Sequence, residues 1–190
     1  MRVLGISGSL RRDSFNSALL RTAAERLPAG AELVAFERLA EVPPFDEDAE
    51  GGPTPAAVGA LRRAIREADA VLIATPEYNG SLPGQLKNAL DWASRPAGRS
   101  ALNGKPVAAI GASKSMFGGV WAQAELRKVA VAMGGRVVEA ELPVARAHEL
   151  VVDGRLELAP EQAERLDEIL AELVALAEEQ EAERRQAVAA

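Results

Sequence analysis

Three segments of the chain combine glycine, proline, hydroxyl and amide residues in patterns suited to holding a ligand. The first, Gly8-Ser9-Leu10-Arg11-Arg12-Asp13-Ser14-Phe15-Asn16, ends where a helical pattern begins. A helix N-terminus offers unpaired N–H groups and partial positive charge to an anion, and Ser9, Ser14 and the Asn16 amide add donors. Arg11 can add a charge-assisted bond. The segment contains neither G-x-x-x-x-G-K-[ST] nor G-x-G-x-x-G, so a phosphate monoester suits it better than a nucleoside triphosphate or a Rossmann-type dinucleotide. The same residues serve equally well as caps and turn formers. The second segment runs from Thr75 to Gly84 as TPEYNGSLPG. Its Pro76, Glu77, Tyr78, Asn79 and Gly80 can wrap a flat ring with an apolar body and polar edges, with Tyr78 alongside and the N–H groups of Asn79 and Gly80 as donors. The competing reading is a Tyr78 that covers the core and a solvated Glu77. The third segment, Gly111 to Gly119 (GASKSMFGG), lets backbone approach a ligand closely, or simply eases a strand-to-helix turn.

The elements around these segments alternate between short apolar runs and longer amphipathic stretches. Strands are predicted over Val3–Ile6, Leu33–Phe36, Ala70–Thr75, Val107–Ile110 and Val137–Leu142. Helices are predicted over Asn16–Leu27, from a Thr54 cap and Pro55 to Ala68, and over Pro83–Ser94, Val120–Met133 and Pro160 to about Glu179. Alternation of this kind specifies an α/β fold: a doubly wound, five-stranded parallel sheet in a three-layer α/β/α sandwich. In such a sheet the loops after strands one, three and four gather along the carboxyl edge, where ligands bind. Those are the three unusual segments, and their coincidence outweighs what each says alone. Glu41 to Pro55 reads as a long acidic loop, expected to be a solvated connection or a border of an acceptor pocket or subunit contact. Val151 to Leu156 reads as a small hairpin. Residues 1–180 form one domain on this reading, and the polar 181–190 tail frays.

Bulk properties exclude several function classes. At 190 residues, 48% hydrophobic and 26% charged, the chain suits one ordinary globular domain. A net charge of −6 argues against nucleic acid or anionic lipid as partner. Cysteine is absent, so thiolate chemistry, cysteine-ligated metal and iron–sulfur clusters are ruled out, and redox chemistry would need a bound cofactor. His148, the one histidine, follows the fifth strand outside all three loops and is expected to be structural, leaving no protein acid–base or metal site to assign. The opening MRVLGISGS lacks a signal-peptide core, and no apolar run approaches the roughly 20 residues of a membrane span. A cytoplasmic location is the expectation.

GSLRRDSFN, PEYNGSLPGQLKNALDWASRP and GASKSMFGG together resemble the NADPH-dependent FMN reductase family, which includes quinone, azo-dye and chromate reductases. The resemblance runs in order from about Met1 to Leu142. It implies a flavodoxin-like sheet, non-covalent FMN, hydride transfer from NADPH or NADH through the flavin to a small acceptor, and a homodimer or homotetramer. By the same resemblance Ser9, Arg11, Ser14 and Asn16 match the phosphate loop, Pro76 to Gly80 the flavin-ring loop, and Ser113 and Gly118 the third loop. The helix Leu86–Trp92 would contribute to subunit pairing, although Trp92 reads equally as core. The alternative is a flavodoxin-type electron carrier that does not itself oxidise NAD(P)H; the two arginines of the first loop and the moderate net charge speak against it.

Overall fold

The apolar runs Ala70–Ala74 (β3) and Pro106–Ala112 (β4) are buried at every residue, as central strands of a parallel sheet covered on both faces must be. The structure, a computed structural model, describes Met1–Ala189. Around these two strands lie β1 (Arg2–Ser7), α1 (Phe15–Arg26), β2 (Glu32–Ala35), α2 (Ala56–Glu67), α3 (Gly84–Ala93) and α4 (Val120–Ala132). The chain continues through β5 (Arg136–Val137), β6 (Pro143–Val144), the antiparallel pair β7 (Val151–Val152) and β8 (Arg155–Leu156), and α5 (Pro160–Ala189). The main sheet is parallel in the order β2-β1-β3-β4-β5, the flavodoxin-type arrangement. Its direction of winding reverses between β1 and β3, so a crevice is expected above those two strands.

Alternate side chains of each strand build two cores. Leu4, Ile6, Val71, Ile73 and Val107 meet Leu61 and Ile65 of α2, Leu86 and Leu90 of α3 and Leu126 of α4. Val3, Leu72 and Ile110 meet Leu19 and Ala23 of α1 and Leu166, Ile169, Leu170 and Leu173 of α5. Helices α2, α3 and α4 thus cover one face, α1 and α5 the other. The i, i+4, i+8 spacing of Ala57, Leu61 and Ile65, with Val58 beside them, gives α2 the stripe this packing needs. No helix among the described residues is long and apolar enough to cross a membrane.

Three sequence expectations need correction. The fifth strand is not continuous over Val137–Leu142: Val137 pairs with Val107 and Pro143 with Gly111, so four steps along β4 face six on its partner. The surplus bulges because α4 takes over its backbone, the buried Gln123 Oε1 accepting the Leu142 N–H at 2.9 Å and Arg127 pairing with Glu141 at 2.8 Å. The polar segment beyond Glu179 is helical to Ala189 rather than frayed. Strong helix formers, the Glu181–Arg185 pair and the bonds from Arg136 to Glu179 (2.8 Å) and Glu183 (3.6 Å) hold it. Residue 190 of the expected tail lies outside the described residues. The acidic loop is not a free solvated connection either: Gln85 donates to the Leu39 and Val42 carbonyls, Asn88 and the Trp92 indole donate to Pro43, and Phe45 packs edge-on to Trp92 at 5.0 Å. Trp92, 2% exposed, is core, and it straps the loop to α3.

Candidate functional site

The three loops meet over β1, β3 and β4, each fixed by a side chain that substitutes for missing backbone pairing. Ser14 caps α1, its Oγ accepting the N–H groups of Asn16 and Ser17 at 3.2 Å each. The hydroxyl hydrogen stays free to donate. Asn16 is almost fully buried and uses both ends of its amide on one residue: Nδ2 donates to the Ala112 carbonyl and Oδ1 accepts the Ala112 N–H, each at 3.0 Å. β3 pairs with β4 only as far as Ala74↔Ile110, so Ala112 projects past the end of its neighbour. The Asn16 amide stands in for the absent peptide group and ties the first loop to the third. It therefore positions the loops with one Nδ2 hydrogen and Oδ1, and its second Nδ2 hydrogen makes no bond to protein among the described residues.

In the first loop Ser9 Oγ accepts the Arg11 N–H at 3.3 Å, and Arg11 donates to the Asp13 carbonyl at 2.9 Å while lying over the Phe15 ring. Lys114, from the third loop, approaches the same ring from 5.9 Å, placing a second cation here. Among the described residues the N–H groups of Leu10, Arg12, Asp13 and Phe15 bond to no protein acceptor. Clustered orphan donors beside a helix N-terminus and an arginine are the donor set a phosphate monoester requires.

The second loop is a tight hairpin turn. Tyr78 and Ser81 exchange both backbone bonds at 3.1 Å, and Asn79 and Gly80 have φ of 54° and 74°. Positive φ at both central positions is the two-residue turn that Asn-Gly favours. Tyr78, half exposed, sits at the tip. Two carboxylates lash this loop to α4. Glu77 Oε2 accepts the N–H groups of Trp121 and Ala122 at 3.0 and 3.2 Å, capping the helix from another segment. Glu125 Oε2 accepts the Ser81 hydroxyl at 2.6 Å and the Leu82 N–H at 3.2 Å. In the third loop Gly118 and Gly119 have φ of 60° and 81°. A Cβ on Gly118 would lie 2.5 Å from the Pro143 carbonyl carbon, so only glycine fits. Ser113 turns to Ser115, their hydroxyls 3.2 Å apart, and its backbone joins Val144 and Ala147.

Leu10 and Arg11 of the first loop and Tyr78 of the second line one hollow of about 330 Å³, floored by Gly8 and the Pro83–Gly84 start of α3. The structure thus brings Ser9, Arg11, Ser14 and Tyr78 to one edge, with Pro76 buried beneath. It gives Asn16 and Glu77 positioning bonds and leaves Ser113 among its own loop. Gln123 and Glu125 were missed from sequence. Gln123 had a signal, being a polar residue beside the Ala122, Leu126, Ala130 stripe of α4, and it donates to the carbonyls of Gly118 (3.5 Å) and Gly119 (3.3 Å). Glu125 had none, because its partners lie more than forty residues away.

Residues 1–149 match the family model described as NADPH-dependent FMN reductase. The chain belongs to that family. It is 47% identical over 131 residues to an NAD(P)H-dependent FMN reductase of Pseudomonas aeruginosa, spanning 69% of this chain and 70% of that one. To a quinone reductase of Escherichia coli K12 it is 42% identical over 139 residues, 73% of each chain. Among solved structures it is similar to FerB, a flavoenzyme NAD(P)H:(acceptor) oxidoreductase of Paracoccus denitrificans, with a TM-score of 0.80 and 32% identity over 94% of this chain and 97% of that one. As a family member, this FMN reductase homologue carries its matched region through β6, and the 3-10 turn holding the exposed His148 closes it.

Proposed function

We propose that this family member is an FMN-dependent oxidoreductase that takes electrons from NADPH or NADH and delivers them to a small acceptor such as a quinone. The observation that carries the reading is the set of orphan N–H donors at Leu10, Arg12, Asp13 and Phe15, beside Arg11 and next to a hollow walled by Tyr78. These residues fit FMN. Ser9, Arg11 and Ser14 with the first-loop backbone would hold its phosphate. Pro76, Tyr78, Asn79 and Gly80 would flank its ring, with Glu77, Asn16, Ser113 and Gly118 keeping the loops in place. Bound there non-covalently, FMN supplies the redox chemistry, accepting a hydride equivalent from the nicotinamide and releasing electrons to the acceptor. The protein's part is to orient ring and donor and to leave one face open; no side chain need act as nucleophile.

The names of the relatives, quinone and FMN reductases, support a small acceptor with a flat conjugated ring. Half-exposed or more exposed Tyr78, Met116, Phe117 and Trp121 form an apolar rim beside the site, with the rings of Phe117 and Trp121 4.8 Å apart. A rim of this kind suits a second subunit, and a homodimer or homotetramer is part of the proposal, as is the cytoplasm, where the donor pool resides. The test is the visible spectrum of the purified protein, then anaerobic mixing with NADH and NADPH. Bound flavin that bleaches with either donor, and recovers with a quinone, supports the proposal. Protein that is colourless and gains no thermal stability from added FMN refutes the cofactor, since a ligand of the native state must stabilise it. Bound flavin that neither donor bleaches refutes the reductase.

A further inference from the structure

A second groove lies between α1 and the edge strand β2, adjoins the proposed phosphate site through Ser9 and Arg11, and encloses about 510 Å³. That volume is within the roughly 300–1,000 Å³ of small-molecule sites. Gly5 and Ala35, paired in register on β1 and β2, form a floor with little side chain, and Leu20, Leu33 and Phe36 form apolar walls. Arg12 and Arg21 stand at the margin with Glu37, which follows the end of β2. Arg12 is exposed and makes no hydrogen bond or ion pair among the described residues. Arg21 uses Nε on the Gly154 carbonyl at 2.6 Å, and among the described residues its terminal nitrogens make no hydrogen bond and no carboxylate pairs with it. One turn on, Arg26 is instead closed off by Asp167 at 2.5 Å. In a chain of net charge −6 this is a local excess of positive charge beside an apolar slot. Leu10 and Arg11 line both this groove and the 330 Å³ hollow, so the two adjoin at the first loop.

We propose that the groove is the subsite for the adenosine end of the nicotinamide donor, in which Arg12 and Arg21 bind the 2′-phosphate of NADPH and Glu37 accepts the ribose hydroxyl of NADH. The inference rests on the reductase reading above and adds to it the residues that set donor preference. Apolar walls suit the adenine ring, and two guanidiniums suit a dianionic phosphate monoester. A carboxylate such as Glu37 at the groove's margin can accept a hydrogen bond from a ribose hydroxyl, whereas it repels a 2′-phosphate. With two cations against one carboxylate, NADPH is the preferred donor, and the groove adjoins the flavin hollow in which the nicotinamide end would have to lie.

The test uses FMN-saturated protein and the probes 2′,5′-ADP and 5′-AMP, followed both by calorimetric binding and by competition with NADPH. The expected result is that 2′,5′-ADP competes with NADPH and binds about tenfold more tightly than 5′-AMP, and that R12A abolishes this difference, the size of losing one hydrogen bond to a charged group. R12A should also raise KM for NADPH about tenfold and that for NADH less than twofold. E37Q should act in the opposite sense, raising KM for NADH and lowering that for NADPH. Arg12-dependent binding of 2′,5′-ADP supports the groove whatever the flavin does. Flavin that bleaches with NADPH in a protein that binds 2′,5′-ADP no better than 5′-AMP overturns the groove and leaves the reductase reading intact.

Discussion

Replacing Asn16 by alanine is expected to be the most damaging polar substitution at the site because of the bonds it makes within the protein. Its side chain is 2% exposed, and both its amide atoms bond the backbone of Ala112, itself 1% exposed. Truncation leaves a buried N–H and a buried C=O without partners, each costing about 1–3 kcal/mol. Allowing for partial relief by water entering the vacated space, N16A should lose about 3 kcal/mol of unfolding free energy. Urea denaturation of the FMN-free protein measures it: the midpoint should fall while the slope is unchanged. N16D separates lost volume from lost bonding. It keeps an acceptor for the Ala112 N–H but sets a carboxylate oxygen against the Ala112 carbonyl, so it should be as destabilising as alanine at neutral pH despite filling the space. Because Ala112 leads into the third loop, FMN affinity should fall in both variants. A loss under about 0.5 kcal/mol for N16A, or native-like stability for N16D at neutral pH, would show that Ala112 finds other partners and that the strand-end role assigned to Asn16 is wrong.

Ser14→Ala removes the cap that accepts the N–H groups of Asn16 and Ser17 and should cost about 1 kcal/mol, with Ser14→Gly milder; equal stability of wild type and S14A in urea would refute the cap. Gly118→Ala puts a Cβ at a φ of 60° and 2.5 Å from a backbone carbon, so Tm should drop by about 5 °C or more and FMN affinity with it; an unchanged Tm would mean that the loop relaxes freely. Lys105 is buried with its ammonium on the carbonyls of Ala68 and Arg66 at the end of α2, and desolvation holds its pKa below the ordinary value of about 10.5, with Arg184 adding to the shift and Asp69 opposing it. The unfolded chain then binds this proton more tightly than the folded one. The group's contribution is fully present above pH about 10.5 and is lost as pH falls through the lowered folded value. Relative to K105M, the wild type should gain stability as pH rises through that window, and parallel pH–stability curves for the two would refute it.

The fold was legible because its signals are local. Five apolar runs separated by amphipathic stretches specify a parallel sheet, and β3 and β4, buried on both faces, are unbroken in sequence as that geometry requires. The break in the fifth strand was not legible, since Val137 to Leu142 has strand composition throughout and is interrupted only by Gln123 and Arg127 arriving from α4. The strapping of the acidic loop was hidden for the same reason: Gln85, Asn88 and Trp92 look like ordinary helix residues until the loop is laid beside them. In the helix beyond Glu179, composition suggested solvent and fraying, whereas Arg136 and Gly104 supply anchors from far away in the chain. Residue type identified the three loops; long-range pairing decided what each residue in them does.

That division of labour bears on how the site stays open for a ligand. A loop rich in backbone donors tends to close on its own acceptors, because buried or half-buried N–H groups seek partners. Here Asn16 occupies the end of β4 that projects past β3, Glu77 occupies the start of α4, and Glu125 occupies Ser81 and Leu82, so the elements flanking the loops are already satisfied. Gln123 does the same for the carbonyls of Gly118 and Gly119. With those neighbours satisfied, the Leu10, Arg12, Asp13 and Phe15 N–H groups keep no protein acceptor among the described residues. On the proposed reading, side chains that hold the loops without touching the phosphate act beside Ser9, Arg11 and Ser14, and the preorganisation they impose lowers the ordering cost that a mobile loop would incur on binding.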